Sequence, residues 1–165
     1  MTRFDHVMRI AAVCVMMLFL VAAPAAAQRN EPASTPAAPA VAKKAHRLVL
    51  QVNTSEPAMM NLALNNATNV EQYYKDLGEK VEIEIVTFGG GLHMLRDDTS
   101  PVKDRIKAIA EKTSSISFKA CGNTQENMRK VEHKNIPLIS QATLVKSGVV
   151  RVMELQEQGW TYVRP

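Results

Sequence analysis

The sequence predicts an α/β fold whose parallel sheet is covered by helices on both faces, and three observations carry that expectation. Short β-branched runs alternate with segments whose apolar residues recur every three or four positions. The first run is apolar on both of its faces, and turn residues stand at the junctions. Alternation of this kind implies parallel pairing through right-handed crossovers.

The elements follow in order. Arg47 to Val52 reads as a strand buried on both faces, and Asn53 to Pro57 punctuates it. Met59, Ala63, Ala67, Val70, Tyr74 and Leu77 then mark the inward face of a helix, with Gly78 at its C′ position. Val81 to Phe88 is a second strand, less buried at its start where Glu82 and Glu84 alternate with apolar residues, and Gly89-Gly90-Gly91 ends it as a loop. Ser100 as N-cap and Pro101 at the first helical position open a second helix with Val102, Ile106, Ile109 and Ala110 on one side. Ser115 to Ala120 is a third strand that runs directly into Cys121. A third helix starts near Asn123 or Thr124, turns Met128 and Val131 inward and closes at Lys134-Asn135. A short strand over Ala142 to Val145, a helix over Val149 to Gln158 and a last strand over Trp160 to Val163 complete the domain.

The chain has 165 residues, a formal charge of +4 and two cysteines, a composition that excludes collagen-like, disulfide-stapled and multi-pass membrane classes. Residues 1–27 read as a secretory signal: Arg3 and Arg9 precede an apolar run from Ile10 to Ala23, and Ala25-Ala26-Ala27 fits a small-x-small cleavage site. The expected location is periplasmic; the alternative is an uncleaved membrane anchor, for which about 20 apolar residues are needed. Cys14 stands inside the apolar run, which argues against a lipoprotein. Residues 28–45, rich in Ala and Pro, read as a disordered linker. Residues 46–165 then hold 15 basic against 14 acidic side chains. A dedicated nucleic-acid surface therefore loses its support.

Removal of the signal leaves Cys121 as the one cysteine. A solitary thiol in an exported chain is buried and inert, paired between chains, or chemically used. Cys121 stands at the carboxyl end of a predicted strand and just before a helix, where unpaired N–H groups and the macrodipole favour a thiolate. Asn123 and Glu126 have capping-box spacing. The Gly89-Gly90-Gly91 loop offers backbone amides to an anion at Gly90, although it lacks a nucleotide-binding pattern; a tight turn is the simpler reading. His93 and Arg96 follow it at the same sheet edge, placed to acidify the thiol or to hold an anionic sulfur group, or else as solvated loop side chains. No metal is expected, because His46, His93 and His133 are scattered and Cys121 has no partner at ligand spacing. No cofactor is expected, and the absence of C-x-x-C excludes an internal dithiol cycle.

Phe118-Lys-Ala-Cys121-Gly-Asn-Thr124, together with Ser147-Gly-Val-Val-Arg151, Glu154-Leu-Gln-Glu-Gln-Gly159 and Trp160-Thr-Tyr-Val-Arg-Pro165, resembles the DsrE/DsrF-like family of sulfur-relay proteins over residues 46–165. The resemblance implies a three-layer α/β/α fold with a mostly parallel five-stranded sheet, assembled as trimers or hexamers. It also implies sulfur carried as a persulfide on one cysteine, passed between a donor and an acceptor protein; Cys121 matches that position, and Gly122, Asn123 and Thr124 match its flanking turn. Those relays work among cytoplasmic reductants, so an exported member departs from the pattern in its address. The alternative is a non-enzymatic oligomeric binding or assembly module in which Cys121 is structural.

Overall fold

The computed structural model describes residues 45–165. The expected signal and all but the last residue of the linker lie outside the described residues. Ten elements follow one another: β1 (His46–Val52), α1 (Pro57–Asp76), β2 (Val81–Thr87), a 3-10 segment (Gly89–Leu95), α2 (Lys103–Lys112), β3 (Ile116–Cys121), α3 (Gly122–Glu132), β4 (Ala142–Val145), α4 (Gly148–Glu157) and β5 (Thr161–Val163). The five strands form one sheet in the order β4-β3-β2-β1-β5, and every pairing is parallel.

That order dictates which face each helix covers. The chain steps from β1 to β4 in one direction, so crossovers of one hand place α1, α2 and α3 on the same side. The last crossover runs the other way, from β4 back to the far side of β1, and so puts α4 on the opposite face. Packing follows this division. On one face Leu48, Leu50, Ile83, Ile85 and Phe118 meet Met60, Leu64 and Ile106, with Met128 of α3 at the margin. On the other, the buried cluster is Val49, Val86, Val152 and Leu155, flanked by Phe88 and Trp160.

The inward stripe of α1 differs from the one read off the sequence. Met60, Ala63, Leu64 and Ala67 are buried, whereas Met59 is half-buried and Leu77 is exposed. Adjacent apolar pairs (Met59-Met60, Ala63-Leu64) make two neighbouring stripes look alike, and the sheet takes the one carrying Leu64. Burying Met60 and Leu64 contributes about 2 kcal/mol each. Leu77 lies beyond the last turn, where Gly78 reverses the chain with φ of +64°. The second helix also begins later than expected. Ser100 accepts a hydrogen bond from the Val102 N–H and donates one to the Met94 carbonyl, so it ties the preceding loop together while Val102 occupies the cap position.

The glycine loop is a 3-10 segment, and only Gly89 of the three has a positive φ, +53°. Gly91 is required for another reason: a Cβ there would lie 2.0 Å from the Val52 carbonyl oxygen. The loop is therefore pressed onto the end of β1.

Arg96 is neither a solvated side chain nor a thiol partner. It is fully buried and forked between Asp98 (2.8 and 2.7 Å) and Glu132 (2.5 and 2.9 Å), with the Met128 sulfur at 3.7 Å. Lys134 closes the cluster on both carboxylates. This bond set attaches α3 to the loop after the 3-10 segment, which matters because α3 contributes no fully buried residue and Val131, expected inward, is exposed. Nearby, the Asp97 N–H donates to the Pro137 carbonyl and the Ile139 N–H to that of Leu95, which seats Ile136 and Ile139 in the interior.

Arg96→Met is expected to lose about 3 kcal/mol in urea unfolding, the usual effect of leaving charges without their buried partner. Hydrogen bonds from Arg96 hold the Asp98 carboxyl well below the ordinary range and that of Glu132 at about 2. Carboxyls depressed in this way stabilise the fold above their unfolded pKa, near 4, and stop doing so as pH falls through the folded values. The native chain should therefore lose stability between about pH 4 and pH 2. The Met variant should lose less over the same interval, measured by urea melts at each pH.

Candidate functional site

Cys121 is the last residue of β3 and the cap residue of α3, with the extended backbone (φ −73°, ψ 115°) that a cap position requires. Alternation along β3 settles its direction. Ile116, Phe118 and Ala120 belong to the main core, so Cys121 projects to the opposite face, where α4 begins. Two helix starts thus converge on one sulfur: its own chain runs into α3, and α4 approaches from across the sheet.

Close approach of α4 depends on Gly148. A Cβ at that position would lie 2.8 Å from Phe88 Cδ1, 3.0 Å from Phe88 Cβ and 3.2 Å from Cys121 Cβ. Only the absence of a side chain lets the first turn of α4 sit against Phe88 and Cys121. Gly122 is similarly tight, with a Cβ there meeting the Val145 carbonyl at 3.2 Å.

Two opposed influences act on the thiol. Burial, which leaves 4% of Cys121 exposed, disfavours the anion and is the largest single influence. The Thr124 hydroxyl and the backbone N–H groups of Gly148, Thr124 and Asn123, which all favour the anion, together outweigh it. The net effect holds the thiol below its ordinary value. Thr124 is well placed for this, since its oxygen accepts the Gly89 N–H at 3.0 Å and leaves its proton for the sulfur. The Asn123 N–H donates to the Lys146 carbonyl at 3.2 Å.

Of the residues singled out in the sequence, Cys121, Gly122, Asn123 and Thr124 come together here. Gly90 lies against the β1–α1 connection, where a Cβ would meet the Ser55 nitrogen at 3.0 Å. His93 is hydrogen-bonded to the Thr99 hydroxyl at 2.9 Å. The capping box does not form, because Cys121 takes the cap position and Glu126 pairs with Arg129 and Lys130. Gly148 and Phe88 are site residues not singled out in the sequence, and Gly89, read as part of the glycine loop, joins the site through its N–H to Thr124.

Among the described residues no cluster of three or more His, Cys, Asp or Glu side chains is arranged to hold a metal, and no helix is long and apolar enough to cross a membrane. A groove of about 560 Å³ between α1 and β5, lined by His46, Leu48, Val70, Tyr73 and Val163, lies apart from the thiol.

Gly148→Ala should raise the thiol pKa and destabilise the domain by about 1–3 kcal/mol, because Phe88 Cβ and Cys121 Cβ cannot both retreat. Thr124→Val should raise the thiol pKa while Thr124→Ser leaves it near the native value. Thiolate absorbance near 240 nm against pH, paired with denaturant melts, measures both.

No family model matches this chain, and no curated protein matches it. Among solved structures, a protein of unknown function from Methanobacterium thermoautotrophicum is similar at 26% sequence identity with a TM-score of 0.62, over 73% of this chain and 99% of that one. That similarity agrees with the α/β architecture described above.

Proposed function

We propose that this protein is an exported sulfur carrier of the DsrE/DsrF-like kind, holding sulfane sulfur as a persulfide on Cys121. The observation that carries the reading is the convergence of two helix starts and the Thr124 hydroxyl on one thiol. Helix-start amides and a hydroxyl gathered around a single sulfur favour an anion there, and a thiolate is the form that attacks sulfur. In the transfer, the Cys121 thiolate attacks the outer sulfur of a donor hydropersulfide. A new S–S bond forms to Cys121, the donor's own S–S bond breaks, and its electron pair leaves on the donor thiolate. The product is the hydropersulfide Cys121–S–SH, ready for attack on its outer sulfur by an acceptor thiolate, with the Cys121 thiolate, stabilised by the same surroundings, as the leaving group.

A carrier needs a donor and an acceptor protein, and this reading places both outside the cytoplasm. Assembly as a homo-oligomer belongs to it as well. The exposed Val149, Val150 and Met153 on α4 offer an apolar surface for such contacts.

One observation favours the second reading, in which Cys121 is structural within a binding or assembly module: only 4% of the residue is exposed. Intact mass separates the two. Folded protein incubated with a small-molecule hydropersulfide should gain the mass of one sulfur atom, the gain should vanish with dithiothreitol, and Cys121→Ser should show none. An unmodified native thiol under donor excess overturns the carrier reading and leaves the structural one.

A further inference from the structure

The sulfur site depends on where α4 begins, and the apolar packing that holds α4 is thin. Beside Gly148, its buried residues are Val152 and Leu155, set against Val49 and Val86 on a face where α4 is the covering helix. Two contacts of this kind favour burial without specifying how far along the sheet the helix slides, since hydrophobic contact is non-directional. A directional contact is supplied by Arg151, one turn after Gly148. Its guanidinium forks onto Glu84 at 2.9 and 2.6 Å, while Glu84 itself is almost wholly buried in the central strand β2. A bidentate fork fixes both distance and orientation.

Glu84 is not an exposed residue of a half-solvated strand start, as the Glu-Ile-Glu alternation suggested. Glu82 is exposed and paired loosely with Arg47 at 3.8 Å, whereas Glu84 faces α4 and has no room in water. Replacing such a pair with apolar side chains is often neutral for stability. Its use therefore lies in the geometry it imposes.

We propose that the Glu84–Arg151 pair is the positioning device of the Cys121 site: it locks the first turn of α4 against β2 so that Gly148, and with it the start of the helix, stays pressed against Cys121. This deepens the sulfur-carrier reading and rests on it. The pair acts through α4 rather than by touching the thiol, so Glu84 and Arg151 are positioning residues. On the elements packed around Cys121, the charged groups are Glu82 and Glu84 on β2, Lys119 on β3, Lys146 after β4, Arg151, Glu154 and Glu157 on α4, and Glu126, Arg129, Lys130 and Glu132 on α3 beyond its first turn; His93 follows β2. Removing Glu84 and Arg151 together deletes one charge of each sign, so a change in thiol acidity then reports geometry rather than net field.

The test uses the full chain with Glu84→Met and Arg151→Met combined, which fills the buried space without stranding a charge, and Arg151→Lys, which keeps the charge but loses the fork. The rate of Cys121 alkylation by iodoacetamide is followed against pH. In both variants the rate well below the thiol pKa, taken relative to each protein's own limiting rate at high pH, should fall by about three- to tenfold, as expected when one charge-assisted hydrogen bond is weakened. In native protein the Gly148 amide nitrogen shift should titrate with the same midpoint as the thiol, and this coupling should shrink in the variants. An unchanged alkylation profile in the folded double variant overturns the proposal, as does a Gly148 amide in native protein that ignores the thiol titration; the latter requires no variant to fold. Sulfur uptake is scored separately on native protein. Its failure there overturns the carrier reading alone, while the alkylation and amide titrations still decide the positioning role.

Discussion

The reversal of direction at the end of the sheet is the constraint on which the rest depends. With strands ordered β4-β3-β2-β1-β5 and every pairing parallel, the first three crossovers must cover one face and the last must cover the other. Since β3 and β4 are neighbours, the helices leaving them start side by side at one edge but on opposite faces. A residue at the end of β3 whose backbone enters α3 and whose side chain points toward α4 is then reached by both helix starts. Cys121 occupies that position. No Gly-rich phosphate loop or cofactor motif is needed to make an anion-friendly pocket there, because it arises from topology and from the orphan N–H groups that every helix start presents.

The two faces are held in different ways. The α1–α2–α3 face is a deep apolar core in which position is over-determined by packing; Gly91 pressed onto Val52 and Arg96 buried among carboxylates lock its upper edge. The α4 face has few apolar contacts and relies on one directional ion pair. The buried polar groups follow the same logic, for no buried side-chain nitrogen or oxygen among the described residues lacks a partner. Arg96 and Glu84 are therefore satisfied groups whose geometry is consumed by the fold, and the buried group left to do chemistry is the thiol.

Much of this architecture was legible in the sequence because strands and helices differ in period. Even the short strand expected over Ala142 to Val145 is present with those bounds. What failed was rotation about helix axes and the environment of charged residues. Met59 against Met60 is a choice between stripes about 100° apart, decided by the shape of the sheet below. Val131 faces water because α3 sits at a sheet edge, a fact of position that periodicity does not contain. Glu84 and Arg96 read as surface charges because Arg151 and Glu132, which with the neighbouring Asp98 complete their ion pairs, are distant along the chain and meet them only after folding. For the site, strand-then-helix spacing placed Cys121 correctly, but the second helix start was unreadable, since a Ser-Gly pair before a helix says nothing about which strand end it will approach.

The near-complete burial of Cys121 bears on how the site would open. A thiol 4% exposed reacts only when something beside it moves, and the candidates are unequal. The backbone of β3 is paired on both sides, and α3 is tied to Arg96. The first turn of α4 is held by Gly148 against Phe88, by the fork of Arg151 one turn later, and by little else. Segments with few buried apolar contacts have the lowest opening free energies in a fold. The helix start that stabilises the anion is thus also the part of its enclosure that yields most easily, so the contacts that set thiol acidity and those that limit access to it are the same ones.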